Sequence, residues 1–244
     1  MNKHPGFSTK ESIDLVSLFL KKPVDEKKWA AVRAYISLDT RVVPAMKHKN
    51  YSNSEYLLGA AACYVDYSKS YFKVFDRVHS QLPKISSALE LGAGCGLTTA
   101  HLAQILAQAK IIYNNLPSVQ YDFAKWLFKQ RGIAGRVSQT ADMFSVKKHV
   151  DLVVATDFFE HVKTPTEWIE KIIDNTSPKV MLVANAFNLP HPDHLEYFYD
   201  RGTKTHFSKV SRSWNKAVRD KGYELHPVVK TFWNRRPAIW VKTR

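Results

Sequence analysis

The stretch Glu90-Leu91-Gly92-Ala93-Gly94-Cys95-Gly96-Leu97 decides the fold class of this 244-residue chain. It follows a short apolar run, Ala88 to Leu91, and precedes a stretch whose apolar residues recur at helical spacing. Glycines at alternate positions permit a sharp turn and let a ligand approach the backbone where a Cβ would otherwise stand. The pattern predicts a strand, a ligand-binding loop and a helix in succession, although a tight turn without a ligand remains the alternative.

Further short apolar runs alternate with amphipathic stretches, which is typical of a parallel sheet with crossover helices. Thr164-Pro165-Thr166-Glu167 opens one of these helices as a capping box with proline at the first helical position. Ser208 is predicted to begin the last helix, which Gly222 ends. The predicted strands after the first are 111–113, 136–139, 152–155, 180–184, 223–232 and 238–242, with the last two as an antiparallel hairpin.

The N-terminal third carries a different pattern. Two capping boxes, Ser8 to Glu11 and Ser52 to Glu55, each place a hydroxyl three positions before a glutamate. Because no Gly/Ser-rich linker follows, we expect a helical extension or lid at residues 1–82, packed on a main domain at residues 83–244. Its predicted helices are 10–22, 25–37, 53–68 and 69–80.

The glycine loop departs from a dinucleotide-binding fingerprint. G-x-G-x-x-G requires glycine where this chain has Leu97, and Glu90 would repel a phosphate but attract an ammonium group. The E-x-G-x-G-x-G pattern resembles the first motif of class I S-adenosylmethionine-dependent methyltransferases, whose loop holds the amino-acid end of the cofactor. Three further stretches resemble the small-molecule branch of that family, namely 142–144, 157–162 and 202–208.

The resemblance implies a fold, a cofactor and a set of cofactor-binding residues. The fold is α/β, with a Rossmann-like, seven-stranded, mostly parallel sheet and a C-terminal antiparallel hairpin, and the cofactor is S-adenosylmethionine. Asn115 stands where the family usually has an acid that accepts the ribose hydroxyls, and an amide oxygen accepts them without charge assistance. The implied cofactor-binding residues are Glu90, Gly92, Ala93, Gly94, Gly96, Asn115, Leu116, Asp142, Met143 and Asp157.

Within that set, Asp142 is expected to accept from the adenine amino group while Met143 lies on the ring. The alternative for Asp142 is an exposed loop acid. Asp157 follows a strand whose carboxyl end faces the ligand crevice of an open parallel sheet. We therefore expect Asp157 to contact the ligand.

Histidines supply the candidates for acceptor chemistry. His161 is the candidate general base, because neutral imidazole can take a proton near pH 7, and its alternative role is to fix the turn into the next helix. His194, Tyr197 and His206 are candidate substrate-binding residues in a segment whose aromatic side chains could instead cover the sheet edge. His191 and His194 lack a further ligand at matching spacing, so we predict no metal site.

Charge is concentrated at the C-terminal end. The net charge is +14, and residues 201–244 hold twelve Lys and Arg against two acids. Lys209, Arg212, Lys216 and Arg219 form a basic stripe on the last helix, which is either a solvated face or an anion-binding surface. The two cysteines exclude a disulfide framework, and without a signal peptide or an apolar span we expect a cytoplasmic protein.

Methyl transfer from a sulfonium requires alignment of donor and acceptor and no covalent enzyme intermediate. The leading hypothesis is transfer to an oxygen or nitrogen of a small-molecule acceptor. An RNA-modifying methyltransferase is the second hypothesis, favoured by the charge and by Trp214, Trp233 and Trp240 among basic residues, and weakened by the lack of an N-P-P-Y-like tetrapeptide. A non-catalytic cofactor-binding partner subunit is the third. The oligomeric state is left open.

Overall fold

The structure is a computed structural model that describes residues 7–37, 54–187, 194, 205–228 and 237–243. The side chains at 32–37, 54–56, 63, 66–70 and 205–208 lie outside the description. Tyr197 and Trp233 fall outside the described residues, as does the predicted cap at Ser52.

A seven-stranded sheet organises the described part of the chain, in the order β3-β2-β1-β4-β5-β7-β6. The first five strands are parallel, and β7 runs antiparallel between β5 and β6. This confirms the predicted α/β fold and its C-terminal hairpin. The strands are β1 (Ser87–Leu91), β2 (Lys110–Asn114), β3 (Val137–Thr140), β4 (Leu152–Thr156), β5 (Val180–Ala184), β6 (Tyr223–Leu225) and β7 (Ala238–Lys242).

Crossover helices connect these strands: α4 (Leu97–Ile105), α5 (Val119–Gln130), α6 (Pro165–Thr176) and α7 (Thr205–Asp220). Pro165 occupies the first turn of α6 as predicted, but the Thr164 side chain makes no capping hydrogen bond, so the predicted capping box does not form. Helix α7 begins three residues before the predicted cap at Ser208. Gly222 follows it with a φ of 84°, which glycine adopts without strain.

The N-terminal third contains α1 (Thr9–Leu20), α2 (Glu26–Ser37) and α3 (Ser54–Val78). The Ser8 hydroxyl caps α1 by accepting from the Glu11 N–H, while the Glu11 carboxylate pairs with Arg131 at the end of α5. The predicted break between residues 68 and 69 is wrong, because no glycine or proline interrupts the helix there and the apolar face continues. That face includes Leu57, Leu58, Ala61, Val65, Phe72 and Phe75, all buried.

Two cores form on opposite faces of the sheet, as the alternation along β4 illustrates. Leu152 and Val154 lie in the core shared with α4, α5 and the N-terminal helices. Val153 and Ala155 lie in the core beneath α6 and α7. Helix α3 therefore packs into the main core of the protein. In the described ranges, no helix has the length and apolar character needed to cross a membrane.

Candidate active site

The carboxyl ends of β1 and β4 border a crevice at the centre of the sheet. Strand β1 pairs with β2 on one side and with β4 on the other, so successive crossovers leave this point in opposite directions. Open α/β sheets bind ligands at such switch points. The glycine loop leaves β1 here, and Asp157 follows β4 with a φ of 50°, a left-handed conformation that is uncommon for aspartate.

The three loop glycines serve different purposes, although all have positive φ. A Cβ on Gly92 would lie 2.6 Å from the Phe158 ring. A Cβ on Gly96 would lie 2.7 Å from the Cβ of Ala124. A Cβ on Gly94 would meet only the Gln120 side chain, at 3.4 Å. Packing inside the protein therefore requires two of the glycines, whereas Gly94 borders open space in the crevice.

That space is a partly open cavity of about 120 Å³. The glycine loop and the end of β4 form one side of it, and α3 contributes side chains to the other. The sequence predicted an extension or lid at residues 1–82 but no particular cavity residue in α3. The lining residues are Ala60, Tyr64, Tyr71, Glu90, Gly92, Ala93, Gly94, Cys95, Leu97, Thr98, Thr156 and Asp157.

Glu90 is the buried acid of the cavity, with 2% of its surface exposed. The Thr99 hydroxyl at the start of α4 donates a hydrogen bond to its carboxyl group. Burial raises the pKa of Glu90 to about 8, and the hydrogen bonds from Thr99 and Thr98 oppose that rise. A cation in the cavity would favour the ionised carboxylate.

The Gly94 carbonyl is held from the end of β2. The Tyr113 hydroxyl donates to it at 2.6 Å, and the Asn115 amide nitrogen donates to it at 3.4 Å. Burial raises the pKa of Tyr113, so its hydroxyl remains a donor. Asn115 therefore contacts the glycine loop through its NH₂ group, a bond that the aspartate usual in the family could not make.

Asp157 connects the crevice to α3. The Tyr71 hydroxyl donates to Oδ2 of Asp157 at 2.9 Å. The backbone N–H of Asp157 donates to the Ala184 carbonyl at 2.8 Å. These bonds, from an N-terminal helix and from β5, hold the left-handed backbone at residue 157. Asp157 thus lies in the cavity wall, with a partner in α3 that the sequence did not reveal.

A polar cluster lies beyond Asp157 at the ends of β4 and β5. The 3₁₀ turn Phe159–His161 presents Glu160 and His161, and the His194 ring packs edge-on against the His161 ring with centroids 4.9 Å apart. One nitrogen or oxygen of each of the three side chains lies within 4.8 Å of the others. Both histidines were predicted separately from the sequence and Glu160 was missed, although it lies in the 157–162 stretch that carries the family resemblance.

The remaining predicted site residues lie in varied settings. Asp142 is exposed, and its carboxylate accepts from the Phe144 N–H at 2.9 Å, which caps a short 3₁₀ turn. Met143 is 7% exposed and packs in the core beneath α6 and α7, whereas Leu116 is 60% exposed. His206 lies in the first turn of α7, where the side chain is outside the description.

The basic stripe of α7 faces away from the core, since Lys209, Arg212, Lys216 and Arg219 are all exposed. Trp214 and Trp240, by contrast, are fully buried and pack against each other with ring centroids 6.2 Å apart. These two tryptophans belong to the hydrophobic core and cannot stack on nucleic-acid bases.

A family model described as a methyltransferase domain matches residues 66–228, about two thirds of the chain. The ribosomal RNA small subunit methyltransferase C of Actinobacillus pleuropneumoniae is 28% identical over 116 residues. That match covers 44% of this chain, and the chain spans only 35% of the length of that curated relative.

Solved structures share the fold at low sequence identity. The S-adenosylmethionine-dependent methyltransferase SibL, in its apo form, has a TM-score of 0.55 and 14% identity, over 96% of this chain and 74% of that one. Magnesium protoporphyrin IX methyltransferase from Synechocystis PCC 6803, solved with bound S-adenosylmethionine, has a TM-score of 0.53 and 14% identity, over 90% and 98% of the two chains. The family match identifies the chain as a member of the methyltransferase domain family, and the solved structures show that it shares their fold.

Proposed function

We propose that the chain transfers the methyl group of S-adenosylmethionine to an oxygen or nitrogen of a small-molecule acceptor, in the crevice between the glycine loop and the Glu160-His161-His194 cluster. The observation that carries the proposal is the cavity bounded by Glu90, Gly94 and Asp157. When bound there, the cofactor supplies a sulfonium-activated methyl group.

The residues at the cavity fit such a cofactor. Gly94 offers backbone to a ligand without a Cβ in the way, and Glu90 offers a buried carboxyl to an ammonium group. Asp157 adds a second acid, oriented by Tyr71. In the proposed site, the amino-acid end of the cofactor lies against the loop, with Gly92, Ala93 and Gly96 shaping the turn.

Residues after β2 and β3 are proposed to hold the nucleoside. Asn115 orients its amide on the Gly94 carbonyl, and its oxygen is the proposed acceptor for a ribose hydroxyl. The exposed Leu116 side chain is suited to pack on the adenine. Asp142 and Met143 are proposed to border the base, although burial in the core leaves Met143 little surface for that contact.

The acceptor is proposed to bind beside His161, which takes the proton released as the acceptor is methylated. His161 is half-buried, and His194 lies against its ring. Tyr197 and His206 remain proposed substrate residues on sequence grounds. The Tyr64 and Tyr71 side chains from α3 line the opposite wall, so residues 1–82 are proposed to cover the crevice and exclude water.

Two features favour a small acceptor over RNA. Side chains of α3 restrict the space over the crevice, and Trp214 and Trp240 belong to the core instead of an RNA-binding surface. The curated ribosomal RNA methyltransferase is similar over less than half of this chain and favours the second candidate. The two candidates therefore differ in the size of molecule that must reach the crevice.

Incubation with methyl-labelled cofactor and a fractionated cell extract tests the proposal. We expect the label in the low-molecular-mass fraction, and no transfer by a Gly94→Val variant that remains folded. Label in nuclease-sensitive material would favour the RNA acceptor. Cofactor binding without transfer to any fraction would favour the partner-subunit hypothesis.

A further inference from the structure

The Glu160-His161-His194 cluster has the composition of a metal site. It combines two imidazoles and one carboxylate from segments that are 33 residues apart in the chain, and one ligand atom from each lies within 4.8 Å of the others. This donor set suits Zn²⁺ and related divalent transition metals, which bind His nitrogen at about 2.0–2.1 Å and carboxylate oxygen at about 2.0–2.2 Å.

The burial of the cluster fits a cation. Glu160 has no exposed surface and His194 is 7% exposed. His161 is half-buried and therefore more exposed to solvent than the other two. A buried carboxylate is costly unless a positive charge or hydrogen bonds compensate it. With two ligands buried and the third half-buried, an ion at this point would keep an open position on its exposed side.

Backbone hydrogen bonds position two of the three proposed ligands. The Ala186 N–H donates to Glu160 Oε1 at 2.9 Å, which fixes the carboxyl group. The His161 N–H donates to the Phe158 carbonyl at 3.1 Å, which holds the 3₁₀ turn that carries this histidine. The segments that directly follow β4 and β5 therefore place Glu160 and the backbone of His161.

A second observation marks the same end of the sheet as a polar site. Asn185 precedes Ala186, is 4% exposed, and its amide has no hydrogen-bond partner on either atom within the described ranges. Buried amides in folded proteins are almost always bonded to protein, water or ligand. An unpartnered buried amide beside the Glu160 anchor is consistent with a site built to receive a polar ligand.

We propose that Glu160, His161 and His194 bind one divalent transition-metal ion whose open position takes the acceptor hydroxyl. This inference rests on the proposed function and refines the acceptor to a hydroxyl-bearing molecule. The ion lowers the pKa of the hydroxyl, whose proton leaves to solvent. The acceptor oxygen supplies the electron pair of the new C–O bond, and the pair of the broken C–S bond stays on sulfur, which changes from sulfonium to thioether. His161 then acts as a ligand and not as the base.

Metal titration of the full chain tests the site without any acceptor. After chelator treatment, we expect one equivalent of Zn²⁺ to bind by calorimetry, and Co²⁺ to give the visible absorption of a low-coordinate nitrogen–oxygen site. Glu160→Gln and His194→Ala should each weaken binding on the order of 100-fold, since even outer-shell changes cost 10–100-fold. His79→Ala alters an exposed histidine outside the cluster and should leave binding unchanged.

Binding of S-adenosylhomocysteine reports whether each variant is folded. If Glu160→Gln is misfolded, the Zn²⁺ affinity of His194→Ala tests the metal site. Absence of saturable Zn²⁺ binding, or equal binding by His194→Ala and wild type, would overturn the metal site. If methyl transfer persists after chelation, the proposed function stands and the proposed metal ion is contradicted. If the chain binds Zn²⁺ but transfers no methyl group, the proposed metal site stands and the proposed function is contradicted.

Discussion

The two ends of the crevice are built in different ways. The cofactor end is local, because the glycine loop spans a few consecutive residues whose positive φ angles set its shape. The acceptor end is assembled from distant segments, since Glu160 and His161 follow β4 and His194 lies beyond β5. In the proposed site, local loop geometry therefore positions the cofactor, whereas tertiary packing positions the acceptor.

The largest expected effect concerns the local end. Gly94→Val should weaken cofactor binding by more than 100-fold, because a β-branched side chain would enter the cavity at a backbone with a φ of 50°. Calorimetry with S-adenosylhomocysteine measures the loss. Gly132→Val is the matched control, since Gly132 has a φ of 65° and open space around it. A valine there introduces the same backbone strain without filling the cavity. Equal losses in both variants would attribute the effect to strain.

Next in size is the removal of the buried acid. Glu90→Gln should weaken binding roughly 10- to 100-fold at pH 8, since hydrogen bonds to charged groups contribute about 1.5–3 kcal/mol. Because burial raises the pKa of Glu90 to about 8, the free protein is protonated there at pH 7 and must release a proton to bind an ammonium group. Wild-type affinity should therefore rise from pH 6 to pH 8.

Calorimetry in two buffers with different ionisation enthalpies measures that proton release. The Glu90→Gln variant should release no proton from residue 90 on ligand binding, and its affinity should vary less with pH. The raised pKa also means that the folded state holds more protons than the unfolded state between about pH 4.5 and 8, so the wild type loses stability over that range as pH rises. A pH-independent affinity in the wild type would place the ammonium group away from Glu90.

A smaller effect is expected where α3 meets the crevice. Tyr71→Phe removes the hydroxyl that orients Asp157 and should weaken cofactor binding about 3- to 10-fold, as expected for a hydrogen bond contributing about 1 kcal/mol. Tyr223→Phe is the control, because the Tyr223 hydroxyl donates to the Pro178 carbonyl, a contact outside the cavity lining. Unchanged affinity in Tyr71→Phe would remove α3 from the proposed binding role.

The smallest effect is expected at Asn115. An aspartate there gains charge-assisted contacts to the ribose but loses the amide donor to the Gly94 carbonyl, so Asn115→Asp should change affinity by less than threefold. The long 3.4 Å donor distance makes the lost bond a weak one. Tightening by tenfold or more, measured by calorimetry, would show that the amide contributes nothing to the loop.

Local sequence patterns predict much of the fold and the cofactor end. The glycines mark positive φ, and the apolar runs mark β4 and β5 because both strands are buried on both faces. The continuous helix α3 was missed, since the sequence analysis divided it between residues 68 and 69, where the structure has one helix from Ser54 to Val78.

Contacts between distant segments were not predictable from local patterns at either end of the crevice. Nothing local in the sequence brings His194 to the His161 ring at the proposed acceptor end, or Tyr71 to Asp157, 86 residues away, at the proposed cofactor end. Two signals were present but unused. Glu160 lies in the 157–162 stretch that carries the family resemblance. Thr99 lies in the first turn after the glycine loop, where its hydroxyl reaches the buried Glu90.

S-adenosylmethionine is proposed to bind between the glycine loop and α3. Hydrogen–deuterium exchange of the full chain, with and without S-adenosylhomocysteine, tests this position directly because amide exchange reports local opening. We expect slower exchange on ligand binding in residues 91–98, in 156–158 and along α3. Protection of the loop without any change in α3 would contradict the proposed cover, and protection confined to other segments would contradict the site itself.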